Sequence, residues 1–174
     1  MSVAGVPAVS PLVRVFISYA HDSLEHEDRV CRFWCFLREK GIDARLDATA
    51  AEQRQDWPKW MLHQIRAARF VLIIASPEYR RRAEGDAPAT EGRGVQWETG
   101  LIQEEMYADQ HAALNRFVPV VLPGCSAADI PRWMRPASTT YYEVSEYTDA
   151  GAEKLLRLLT SMFRGSAAQA GEVT

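Results

Sequence analysis

A three-layer α/β sandwich built on a five-stranded parallel sheet is the architecture this sequence predicts. Two features of the chain lead there. Apolar runs of strand length alternate with amphipathic stretches of helical length, the signature of βαβ units with right-handed crossovers. The most continuously apolar run, FVLIIAS at residues 70 to 76, suits a central strand buried on both faces. At 174 residues the chain is long enough for one domain with a full core and short for two.

The first eleven residues are small and Pro-containing and read as a loose segment. VRVFISY, residues 13 to 19, is the first strand. A polar stretch leads into a helix on which Val30, Phe33, Trp34 and Leu37 keep helical spacing, with Gly41 as its stop. IDARLD, 42 to 47, alternates as a second strand, and the polar connection 48 to 56 follows. A second helix spans Trp57 to Ala68, with Pro58 in its first turn and Trp57, Trp60, Met61 and Ile65 on its apolar stripe. Beyond the central strand lies a charged, Gly- and Pro-containing loop that includes the basic knot Arg80, Arg81 and Arg82, read as solvated surface. The next helix opens at Val95–Glu98 and runs to about His111. RFVPVVLPG is the fourth strand, in which Pro119 marks a strand end, an edge or a bulge. STTYYEV, 138 to 144, is a weaker fifth strand, AGAEKLLRLLTSMF a closing helix, and the last residues a polar tail or linker. The expected division is therefore a loose segment 1–11, a domain 12–164 and a flexible tail 165–174, with loose ends that suggest a piece of a longer protein. The expected strand order is 2-1-3-4-5, that of flavodoxin-like sheets, with a ligand crevice at the carboxyl ends of the strands.

Composition narrows the classes of function. A formal charge of -3 gives no general attraction to nucleic acid or to an anionic membrane, and no apolar run approaches membrane-spanning length. With no signal peptide and three unpaired-looking cysteines, Cys31, Cys35 and Cys125, the expected setting is cytoplasmic with reduced thiols. The chain has no GxGxxG, GxxxxGK[ST], HExxH or GxSxG motif. His21, Asp22, Glu25 and His26 are near neighbours for which capping and solvation outweigh a metal site.

VFISYAHDS, GIDARLD, WPKWMLHQIRAARFVLIIASPEY, GVQWETGLI and FVPVVL, in this order and spacing, resemble the SEFIR branch of the TIR-like superfamily, over roughly residues 13 to 163. The resemblance implies a TIR-like domain that signals by self-association with like domains, in bacteria commonly attached to further modules in anti-phage systems. Many bacterial and plant TIR domains cleave NAD+, which is here an expected substrate rather than a cofactor; no cofactor or metal is expected. The glutamate on which that activity depends matches Glu98. Ser18 and Tyr19 fall in the first box, Asp47 at the end of the second strand, and Trp57 near an aromatic position of the loop covering the nucleotide; with Trp97 these are the implied substrate-binding residues. Many NAD-cleaving TIR domains carry a WxxxE pattern, from which this chain departs: Trp97 directly precedes Glu98. Trp97-Glu98-Thr99-Gly100 instead fits a bacterial branch with an apolar or aromatic residue before the acid and a glycine two after it.

One carboxylate is chemically sufficient. Breaking the nicotinamide–ribose bond expels a neutral pyridine, so no general acid is needed, and the oxocarbenium-like transition state is stabilised by a nearby negative charge. The plainer reading of Glu98 is a first-turn helix acid worth roughly 0.3–1 kcal/mol against the macrodipole. Asp47 has an equally plain reading as a turn cap, Ser18 and Tyr19 as backbone-positioning residues, and Trp60 as core. Two functions follow: an NAD+ glycohydrolase switched on by assembly, or a non-catalytic homotypic adaptor.

Overall fold

The computed structural model describes residues 12–47, 54, 56–86 and 93–160, with the backbone alone over 93–98. The expected segments 1–11 and 165–174, and most of the connection 48–56, lie outside these residues. Five strands form one sheet: β1 (Arg14–Ser18), β2 (Asp43–Arg45), β3 (Phe70–Ile74), β4 (Phe117–Val121) and β5 (Tyr142–Glu143). Every pairing is parallel and the order is 2-1-3-4-5, as the alternating pattern predicts.

Because successive strand residues point to opposite faces, each central strand feeds two cores. Val15, Ile17, Leu72, Ile74, Val118 and Val120 pack on one face with Val30, Phe33 and Leu37 of helix α1 (Leu24–Glu39) and with Leu155 and Leu159 of the closing helix α6, described over 153–160. Phe16, Val71, Ile73, Phe117 and Val121 face the other way, toward α2 (Trp57–Ala67), α3 (Pro77–Ala83), α4 (Arg93–Ala108) and α5 (Gln110–Arg116). Right-handed crossovers account for this split: β1 to β2 runs outward one way, whereas β2 to β3 and β3 to β4 run the other way. The reversal leaves the carboxyl ends of β1 and β3 side by side with their following loops diverging, which is where such sheets place a crevice.

Local chemistry sets the helix ends. Ser23 caps α1 by accepting from the His26 amide, and Asp56 and Ser76 cap α2 and α3 in the same way. At the other end of α1 the amide of Ile42 returns to the carbonyl of Leu37 while Gly41 takes φ +78°, a left-handed turn that a side chain would strain.

Three expectations are revised. The basic knot lies on helix α3, not on a solvated loop. Arg81 pairs with Glu78 at 2.8 Å, Arg80 with Glu84 at 3.2 Å, and Arg82 lies 3.4 Å from Glu78. The single helix expected from Val95 to about His111 is two helices: α4 begins at Arg93, and Asp109 ends it by capping α5 through the Ala112 amide. The fifth strand contracts to two residues.

Pro119 stands inside β4, and the ladder explains how a central position tolerates it. The Val120 carbonyl bonds inward to the Ala75 amide and that of Val121 bonds outward to Val144, so by alternation Pro119 turns its nitrogen outward. There β5 pairs only with Val120 and Val121, and no donor is required.

Candidate functional site

At the switch point, side chains from the β1–α1 loop reach both neighbouring strands. Asp22 accepts from the Ser76 hydroxyl at 3.0 Å and from the Glu78 amide at 3.2 Å, fastening the end of β1 to the start of α3. It thus adds a second acceptor at an α3 N-terminus already capped by Ser76. Asp22→Ala is expected to cost about 1–2 kcal/mol, read as a lower urea midpoint at unchanged slope.

On the β2 side, His21 bridges Glu27 of α1 and Asp47, with Nε2 2.9 Å from the Asp47 carboxylate. The Tyr19 ring lies beneath the imidazole at 4.7 Å between centroids, and its hydroxyl is hydrogen-bonded to Asp47. Burial, then the neighbouring carboxylate, push the Tyr19 phenol far up, so it stays protonated and acts as a donor. Hydrogen bonds to Asp47 first, and then to Glu27, raise His21 to about 9 against the opposing effect of burial. The folded-state value lies above the unfolded one, so the stabilisation is fully present below pH 6.5 and is lost as pH rises through about 9. His21 is half-exposed, which keeps the effect small. His21→Gln is expected to flatten the pH dependence of the thermal midpoint between pH 6.5 and 9 and to leave the profile below pH 6 with a constant offset.

The implied site residues are disposed unequally. Ser18 is 1% exposed and its hydroxyl lies 2.9 Å from that of Tyr79, on α3. Tyr19 and Asp47 sit together in the His21 cluster. Trp57 opens α2 and is 38% exposed; it meets Trp60 edge-on at 5.7 Å, and Trp60 in turn meets Phe16 at 5.9 Å. That aromatic chain runs from the surface into the second core, with Trp60 as its half-buried middle member. Trp97 and Glu98 lie on α4, which packs against α2 and α3. Position 98 is one turn before Ile102, which is fully buried, and directly before Thr99, which is nearly so. Since α4 starts at Arg93, Glu98 belongs to its second turn.

The connecting residues His21, Asp22, Glu27, Ser76 and Tyr79 were not legible as a constellation, because Ser76 lies 54 residues from Asp22 and only the sheet brings the two segments together. Their one sequence signal was position, in that His21 and Asp22 immediately follow the first strand. Among the described residues, no group of three or more His, Cys, Asp or Glu is arranged to hold a metal ion, and the three cysteines are free thiols. No helix of the described residues is long and apolar enough to cross a membrane.

A parallel 2-1-3-4-5 sheet with helices on both faces and polar loops gathered at its switch point is a flavodoxin-like α/β fold of the TIR-like kind. The SEFIR domain family matches residues 13–152, and the chain belongs to that family. A crystal structure of a prokaryotic SEFIR domain superposes with a TM-score of 0.59 at 24% identity, covering 83% of this chain and 90% of that one, a likeness of fold. No curated protein matches the sequence.

Proposed function

We propose that this SEFIR domain assembles with copies of itself and, once assembled, hydrolyses NAD+ with Glu98 as the catalytic carboxylate, lowering the NAD+ of a phage-infected bacterial cell. The observation that carries the reading is the register of α4. The macrodipole acts within the first turn, and α4 has no acid there, so the plain account of Glu98 as a dipole-stabilised first-turn residue loses its basis. Position 98 instead lies one turn before the fully buried Ile102, on a helix packed against α2, which supports a place along the body of α4 rather than at its end.

The chemistry proceeds with few groups. Glu98 accepts hydrogen bonds from the ribose hydroxyls and faces the cation that develops at the anomeric carbon as the C–N bond breaks. The electron pair leaves with nicotinamide, which departs neutral; water adds to the same carbon and releases a proton, giving ADP-ribose. Trp57, exposed at the start of α2, offers a ring face for stacking, with Trp97 as the second implied aromatic. In this reading Ser18, Tyr19 and Asp47 shape the wall of the crevice, since Ser18 already bonds to Tyr79, Tyr19 to Asp47 and Asp47 to His21.

That same mutual satisfaction favours a second reading, a homotypic adaptor without catalysis, in which the crevice is a structural knot. NAD+ consumption at high protein concentration with a crowding agent separates the two. Turnover by the wild type that disappears in Glu98→Gln supports the enzyme; no turnover by protein shown to be assembled supports the adaptor.

A further inference from the structure

A groove of about 540 Å³ opens at the far edge of the sheet, away from the switch point. β5 pairs only with the last two residues of β4, and the groove opens beside the earlier part of that strand, where the buried Phe117, Val118 and Pro119 line its floor. Met106 and Asn115, from α4 and α5, form one wall; Trp133, Thr140, Tyr142 and Leu158 form the other. The volume lies within the roughly 300–1,000 Å³ usual for small-molecule sites.

We infer that this groove binds a small amphipathic monoanion, an aromatic or aliphatic body carrying one carboxylate or sulfonate. Strand addition is disfavoured, because the open edge offers no donor: Pro119 has no N–H and the Phe117 amide is committed to the Ala113 carbonyl. The walls are aromatic and aliphatic with neutral amides and hydroxyls among them. Among the described lining residues Arg135 carries the one charge, and no acid lines the groove. The nearby Glu105 carboxylate is instead 3.9 Å from Arg116. Arg135 is also the one non-glycine residue with positive φ among the described residues, at +52°. Its carbonyl accepts from the amides of Ser138 and Thr139 at 3.0 and 2.9 Å, so the turn that presents its side chain is locked in a conformation costly for arginine. Its guanidinium has no ion-pair partner among the described residues, which leaves a planar, bidentate donor for an oxyanion at the edge of an apolar floor. The inference stands independently of catalysis at Glu98.

Two dyes of matched shape test it by fluorescence titration of the whole chain: anionic 8-anilinonaphthalene-1-sulfonate and its neutral analogue N-phenyl-1-naphthylamine. Both are expected to bind saturably at one site. Arg135→Gln should weaken the anionic dye about tenfold and leave the neutral one within about twofold. Asn115→Trp, which fills the groove from α5, should weaken both. Thermal midpoints close to wild type show that the variants fold. Anionic binding unchanged by Arg135→Gln, or either dye indifferent to Asn115→Trp, overturns the assignment. Light scattering in which Asn115→Trp dissolves a self-assembled form would also overturn it, by making a second copy of the chain the occupant.

Discussion

Glu98→Gln is expected to reduce NAD+ turnover by the assembled domain by two to three orders of magnitude, about 3–4 kcal/mol in barrier. The substitution keeps size and shape, removes the charge and replaces one acceptor oxygen by a donor amide. The effect should therefore fall on kcat, where the developing cation is stabilised, more than on KM. Position 98 lies beside Thr99 and a turn from Ile102, whose burial holds α4 on the second core, so the isosteric change leaves that packing intact. Self-association and the thermal midpoint should match the wild type. A mutant that turns over NAD+ at the wild-type rate would remove Glu98 from the chemistry; one that loses assembly instead would place the residue in an interface.

Tyr79→Ala should have the largest effect on stability. Tyr79 is the largest fully buried side chain among the described residues, fully enclosed beneath α3 against the second core. Truncating such an aromatic leaves a cavity that the surrounding β1 and β3 residues cannot close, at a cost of about 3–5 kcal/mol. For a domain of this size that is a fall in Tm of roughly 6–20 °C. The milder Tyr79→Phe isolates the hydroxyl. It should cost about 1 kcal/mol, and a double-mutant cycle with Ser18→Ala should show coupling of similar size, because the two oxygens are 2.9 Å apart and buried. A Tyr79→Phe variant as stable as wild type would show that the pair contributes nothing, and would return Ser18 to consideration as a group available to substrate.

Strand order and the two-faced core could be read from the chain because they follow from local periodicity. FVLIIA, residues 70 to 75, is apolar at every position, so it had to be covered on both sides; its neighbours took the remaining places by the handedness of their crossovers. The helix break at Asp109 was less visible. Apolar spacing continues across it, and only the competition between continuing α4 and capping α5 decides the outcome. Element ends such as the two-residue β5 depend on how far a neighbouring strand extends, which no local pattern encodes.

The candidate site divides along the same line. The types of residue at the carboxyl ends of the strands were set by sequence alone: Ser18 and Tyr19 after β1 begins its exit, Asp47 beyond β2, Glu98 on the helix that crosses from β3 to β4. Whether Ser18, Tyr19 and Asp47 are free or engaged was settled only by tertiary structure. Hydrogen bonds and charges act over a few ångströms, and a sequence separation of 26 residues between His21 and Asp47, or 61 between Ser18 and Tyr79, says nothing about distance until the sheet brings their strands side by side.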